Sequence, residues 1–205
     1  MQLAKADVGF NRGKDGHVPD DELTAALAAD VDEHFERLVR SYQHRLYSFA
    51  LRWSGSHQDA EEIAQDAFVR AYHALHRYPR ARRAALALRP WLYQITLNLA
   101  RNRARGLRLA TQPLDLEVHD APDLHDERPE ERLLREEQRH DLGGLLAALP
   151  ERYRAAVVLR HVEGLSYEEA ASVLAQPIGT TKSDVHRGLR LLRGELSKQM
   201  ETAAA

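Results

Sequence analysis

The chain has 205 residues, 43% of them apolar, and sets 29 Lys+Arg against 31 Asp+Glu for a net charge of −2. Apolar residues spread this evenly exclude wholesale disorder, and no uncharged apolar run reaches the roughly 18 residues that a membrane span needs. Cysteine is absent, which excludes disulfides, thiolate zinc sites and cysteine nucleophiles and predicts a reducing, cytoplasmic setting.

Residues 1–19 form an extension whose opening, MQLAKADVGFNRGKDG, lacks the apolar core of a signal peptide; export is not expected. A short helix is predicted over 21–29, with Leu23, Ala26 and Leu27 on one side. From Val31 a single stripe follows: Phe35, Leu38, Val39, Tyr42, Leu46, Phe49, Ala50 and Trp53, ended by Gly55. A second helix, from about Asp59, aligns Ala60, Ile63, Ala64, Ala67, Phe68, Ala71, Tyr72 and Leu75. Pro79 and the arginines after it break the pattern. Pro90 then sits where a first helical turn tolerates proline, and Trp91, Leu92, Ile95 and Leu99 carry the stripe on. Residues 111–130 hold Pro113, Pro122 and Pro129 among seven acids, the mark of a tether between domains. Leu133, Leu134, Leu142, Leu145, Leu146 and Leu149 resume the helical spacing, and Pro150 opens a helix that Gly164 stops. Ser166 with Glu169 makes a capping box for the next helix. After Pro177 and Gly179 a last helix is expected from Thr180 or Thr181 to about Lys198. The fold class is all-α: two small helical domains, 20–108 and 132–198, joined by an acidic linker at 109–131 and followed by a tail at 199–205.

Charge is distributed unevenly. Residues 78–108 carry eight Arg and no acid, whereas 109–141 have a net charge of −7. A basic block of this kind meets polyanions. With Tyr78, Trp91 and Tyr93 among the arginines, it suits single-stranded nucleic acid, where cations hold the backbone and bases stack on rings. Asn98 and Asn102, one turn apart, offer donors and acceptors to a base edge. At the other end, Ser166–Arg193 reads as helix, tight turn, longer helix, with Ala170 and Ala171 small enough for a close crossing. If Leu174, Ile178, Val185, Leu189 and Leu192 pack inward, then Lys182, Ser183, His186, Arg187, Arg190 and Arg193 face outward, as on a recognition helix. Glu62, Gln65, Asp66 and Val69 lie opposite the Ile63/Ala67/Phe68 stripe and form a polar face suited to a basic partner.

LPERYRAAVVLRHVEGLSYEEAASVLAQPIGTTKSDVHRGLRLL, residues 149–192, resembles region 4 of the extracytoplasmic-function (ECF) sigma factors of the sigma-70 family. DAEEIAQDAFVRAY (59–72) resembles region 2.2 of the same family, and PWLYQITLNLARNRARG (90–106) its regions 2.3–2.4. The resemblance implies a transcription-initiation subunit without catalysis of its own. It implies core-polymerase contacts (the β′ clamp helices) at Glu62, Gln65 and Asp66, with the β flap as a further contact. It implies −10 DNA contacts from Arg82, Arg83, Arg89, Trp91, Asn98, Arg101, Asn102 and Arg105, with Arg101, Arg103, Arg105 and Arg108 on phosphates. It further implies a −35 surface of Thr180, Thr181, Lys182, Ser183, Asp184, His186, Arg187 and Arg190, and restraint by an anti-sigma factor. Asp184 departs from the family pattern, in which an Arg commonly follows the Ser; a carboxylate there repels phosphate but accepts from cytosine N4.

Two other classes remain open on the residues alone. A stand-alone helix-turn-helix regulator would need a sensory or dimerisation domain, for which no strand pattern is present. A metal-dependent helical-bundle enzyme would need inward Glu/His ligands, whereas the inward stripes are apolar. His73/His76 and His119/His125 have no HExxH or carboxylate completion, and no GxxxxGK[ST] or GxGxxG occurs, so neither a metal nor a cofactor is expected.

Overall fold

A computed structural model of the chain describes residues 20–106, 144–146 and 148–203. The N-terminal extension, the acidic linker, Arg108 and the stretch containing Leu133, Leu134 and Leu142 lie outside the described residues. All regular structure among the described residues is helical: α1 Asp20–Ala29, α2 Val31–Ser54, α3 His57–Arg77, α4 Arg80–Ala84, α5 Leu88–Ala104, α6 Glu151–Val157, α7 Tyr167–Leu174 and α8 Ile178–Ala203. A π turn, Val158–Val162, continues α6.

Local chemistry accounts for most of the boundaries. Asp30 caps α2 by accepting from the Glu33 amide, and Ser56 caps α3 by accepting from that of Asp59. Gly55 takes φ +68° between them, a left-handed turn that glycine enters without steric cost, and its N–H closes on Leu51 O. The capping box at Ser166 and Glu169 is formed in both directions. Two boundaries differ from expectation. Arg80–Ala84 closes a helical turn of its own, and the last helix begins at Ile178, two residues before Thr180.

Helices α2, α3 and α5 pack together, with α1 lying across α2 and α4. Their core is Leu38, Tyr42, Leu46, Phe49, Ala60, Ala67, Leu92, Tyr93 and Leu97, all fully buried or nearly so. Phe49 and Tyr93 meet edge to face at 5.2 Å. In the C-terminal half, α6 and α7 pack on α8. Gly188 sits at the α6–α8 crossing, where an added Cβ would lie 2.5 Å from Val157 Cγ2 and 3.2 Å from Tyr153 O. The two halves touch along α5 and α7, and the apolar cluster runs on from Leu92 and Leu97 to Leu149, Val157 and Leu159.

Candidate nucleic-acid interface

Helix α8 has two unlike faces. Thr181, Asp184, Val185 and Gly188 recur at three- and four-residue steps and are buried, the side on which α6 lies. Lys182, Ser183, His186, Arg187 and Arg190 are exposed, and Thr180 is half-buried at the entry. The structure therefore corrects two expectations. Thr181 and Asp184 face inward because they share the periodicity of Val185 and Gly188. The Asp184 side chain is 1% exposed, and its Oδ2 accepts from Arg152 Nε at 2.8 Å and Gln176 Nε2 at 3.1 Å. Thr181 Oγ1 donates to Pro177 O and accepts from Gln176. Neither side chain is open to a base edge. Ile178, expected inward, is 39% exposed.

The structure also adds residues. Tyr167, the first residue of α7, carries Arg160 and Lys182 over its ring at 5.0 and 5.4 Å. Together with the α7 N-terminus they make a cationic flank beside the exposed face of α8. Only the position of Tyr167 just after a capping serine hinted at this in the sequence; Arg160 lies on another element.

The arginine block divides. Arg82 stacks over Tyr78 at 3.8 Å, and Tyr78 lies 6.2 Å from Trp91, giving a cation–ring–ring series. Arg105 and Asn98 are exposed, while Asn102, Arg83 and Trp91 are half-buried. Arg103 instead bridges Asp59 and Glu62 of α3. The Glu62 hydrogen bond leads the causes that hold its guanidinium above the ordinary arginine range. Glu62 is thus partly neutralised within the protein, Gln65 is exposed, Asp66 is half-buried, and Val69, expected outside, is buried.

Arg89 and Arg101 lie where the two halves meet. Glu163, just beyond the π turn, inserts a carboxylate that is 8% exposed. Arg52 of α2 donates to its Oε1 at 3.2 Å, the Tyr93 hydroxyl donates to Oε2 at 2.5 Å, and Arg89 donates to its backbone carbonyl. Burial pushes the Glu163 carboxyl up, against the Tyr93 hydrogen bond and the charges of Arg52 and Arg89, which pull it down. Arg101 pairs with Glu151 at 3.0 Å, Arg154 donates to Trp53 O at 3.3 Å, and Gln94 donates to Ser172 O at 3.4 Å. At this seam Arg89 and Arg101, both expected among the −10 contacts, are engaged by acceptors of the C-terminal half.

The sigma-70 region 2 family model matches residues 38–109, and the sigma-70 region 4 model matches 139–192. The ECF RNA polymerase sigma factor SigE of Mycolicibacterium smegmatis is 34% identical over 196 residues, covering 91% of this chain and 73% of that protein. The RNA polymerase sigma-H factor of Pseudomonas aeruginosa is 34% identical over 177 residues, covering 82% and 89%. The chain belongs to the ECF sigma factors of the sigma-70 family. An ECF sigma factor is a promoter-specificity subunit of RNA polymerase and not an enzyme, so the surfaces above are binding surfaces. Among solved structures, the sigma factor RpoE of Bartonella quintana, crystallised with the anti-sigma factor NepR, is 25% identical with a TM-score of 0.56, covering 80% of this chain and 96% of that one. In this ECF sigma factor the region 2 match takes in most of α2 and all of α3–α5; the region 4 match takes in α6, α7 and the first part of α8. Among the described residues no helix is long and apolar enough to cross a membrane, and no group of three His, Asp or Glu is placed to hold a metal ion.

Proposed function

We propose the following division of labour for this sigma factor. Helix α8 enters the major groove of the −35 duplex and reads it with Lys182, Ser183, His186, Arg187 and Arg190, with Thr180 at the groove edge. The surface of Arg82, Tyr78, Trp91, Asn98, Asn102 and Arg105, with Arg83 beside it, holds the melted −10 strand. Bases stack on rings there while cations grip the backbone. Arg89 and Arg101 join that surface when the seam parts. Gln65, with Asp66 and Glu62 next to it on α3, meets the β′ clamp helices, and the C-terminal half meets the β flap. The protein works in the cytoplasm, and an anti-sigma factor restrains it, as NepR accompanies the Bartonella protein.

One observation carries this reading: α8 sets five polar or basic side chains on its exposed face while its opposite face is fixed against α6. Run-off transcription from a genomic promoter library, with core polymerase, tests it. Initiation at defined promoters only when the protein is added is expected. Gln65→Lys should weaken core binding while leaving the Arg103–Glu62 pair intact. No stimulation together with undetectable core binding would favour a stand-alone helix-turn-helix regulator.

A further inference from the structure

A buried acid on a groove-entering helix is unexpected, because a carboxylate near phosphate repels it. Asp184 avoids this by turning inward, yet it is not isolated. Its Oδ2 holds Arg152, the second residue of α6, through Nε alone. Arg152 is otherwise outside the protein: its side chain is 58% exposed, and among the described residues no acceptor takes Nη1 or Nη2. A guanidinium has five donors in a planar fork, so binding through Nε leaves both terminal amino groups to an outside acceptor.

The helical geometry says where that fork lies. Thr180, Asp184 and Arg187 follow one another at four- and three-residue steps, along one flank of the exposed face of α8. Lys182 lies on the opposite flank, with Tyr167 and Arg160. A helix in a major groove about 12 Å wide has a phosphate backbone on each side. The Tyr167 cluster supplies cations to one side, and Arg152 joins Arg187 on the other.

We infer that Arg152, which precedes the helix-turn-helix, is a backbone-phosphate contact of the duplex-binding surface, and that Asp184 is the positioning residue that aims it. The inference rests on the reading of α8 as a duplex-binding helix. Held at Nε, the long arginine has lost much of its rotamer freedom before DNA arrives, so less is lost on binding. The Asp184 charge is matched by Arg152 and is withdrawn from the phosphates, which reconciles a carboxylate with this helix.

The test is binding of the full-length protein to a random-sequence 30-bp duplex across a salt series, with melting temperature measured alongside. Arg152→Ala is expected to weaken binding several-fold and to reduce the slope of log affinity against log salt by about 0.9, one phosphate contact. Asp184→Leu removes a negative charge, so simple charge counting predicts tighter binding; loss of aim predicts weaker binding, which is the expected result. The exchange Arg152→Asp with Asp184→Arg remakes the ion pair with the cation inside. It should recover melting temperature but not DNA affinity. An unchanged slope for Arg152→Ala, tighter binding by Asp184→Leu, or full affinity in the exchanged pair would each overturn the inference. Arg187→Ala separates the two levels. If it lowers the slope while Arg152→Ala does not, only the inference fails; if neither changes the slope, the duplex-reading role of α8 fails as well.

Discussion

The two basic regions of this sigma factor use their cations differently. On α8, Lys182, Arg187, Arg190 and Arg193 are all exposed, and Asp184, the one acid of its first four turns, lies on the inner side. In the 78–108 block, which has no acid of its own, three of the arginines turn to acceptors elsewhere. Arg103 takes Asp59 and Glu62, Arg101 takes Glu151, and Arg89 takes the Glu163 carbonyl. Eight arginines between residues 78 and 108 therefore describe a supply of charge and not a surface. Among the described residues, Arg82 beside the Tyr78–Trp91 rings and Arg105 remain exposed, and these are the cations of the block that the proposed −10 surface offers directly.

The sharpest way to break this contrast is at the seam. Glu163→Ala leaves Arg52 and the Tyr93 hydroxyl without their shared acceptor, and breaking a buried pair from one side costs about 3 kcal/mol. Hydrogen exchange along α5 and α7 should accelerate, freeing Arg89; unchanged protection would mean that the seam does not depend on this acid. The same contact carries a pH sign. The Glu163 carboxyl is held above its ordinary 4.5 by burial, so between that and the raised value closing the seam is coupled to proton uptake. Its contribution is complete below the ordinary glutamate range and is lost as pH rises through the raised value. Exchange in α5 should therefore quicken with pH beyond the intrinsic trend, and Glu163→Gln should remove that excess.

Smaller effects sharpen the α8 side. Gly188→Ala forces a methyl into Val157 and the Tyr153 backbone, and overpacking of this kind costs about 2 kcal/mol. Thermal denaturation should show the loss in the variant, with the exposed face of α8 left chemically unchanged. The smallest comparison pairs two arginines. Arg190→Ala should lower the salt slope of duplex binding by about 0.9 with little change in melting, whereas Arg103→Ala should lower melting and leave the slope as it was. Equal slopes in the two variants would erase the distinction between presented and engaged cations.

Local features were legible in the sequence. Gly55 after a long stripe, and Ser166 three residues before Glu169, define helix ends through contacts within one turn, so residue type and spacing suffice. The exposed face of α8 was legible for the same reason, apart from Thr181 and Asp184. There polarity suggested exposure, whereas the steps to Val185 and Gly188 already placed both on the inner side. The seam was hidden because its partners are far apart along the chain. Arg52 and Glu163 are 111 positions apart, and nothing in either neighbourhood announces the other. The π turn before Glu163 had no signature either, since its residues Val158–Val162 read as ordinary helix.

The single apolar cluster shared by the two halves, which touch along α5 and α7, has a thermodynamic consequence. Two halves that share one interior melt together, so calorimetry of the isolated sigma factor should record a single cooperative endotherm. If polymerase draws the halves apart, the same chain has to sustain two separate interiors, with the partner's surface replacing what each half had supplied to the other.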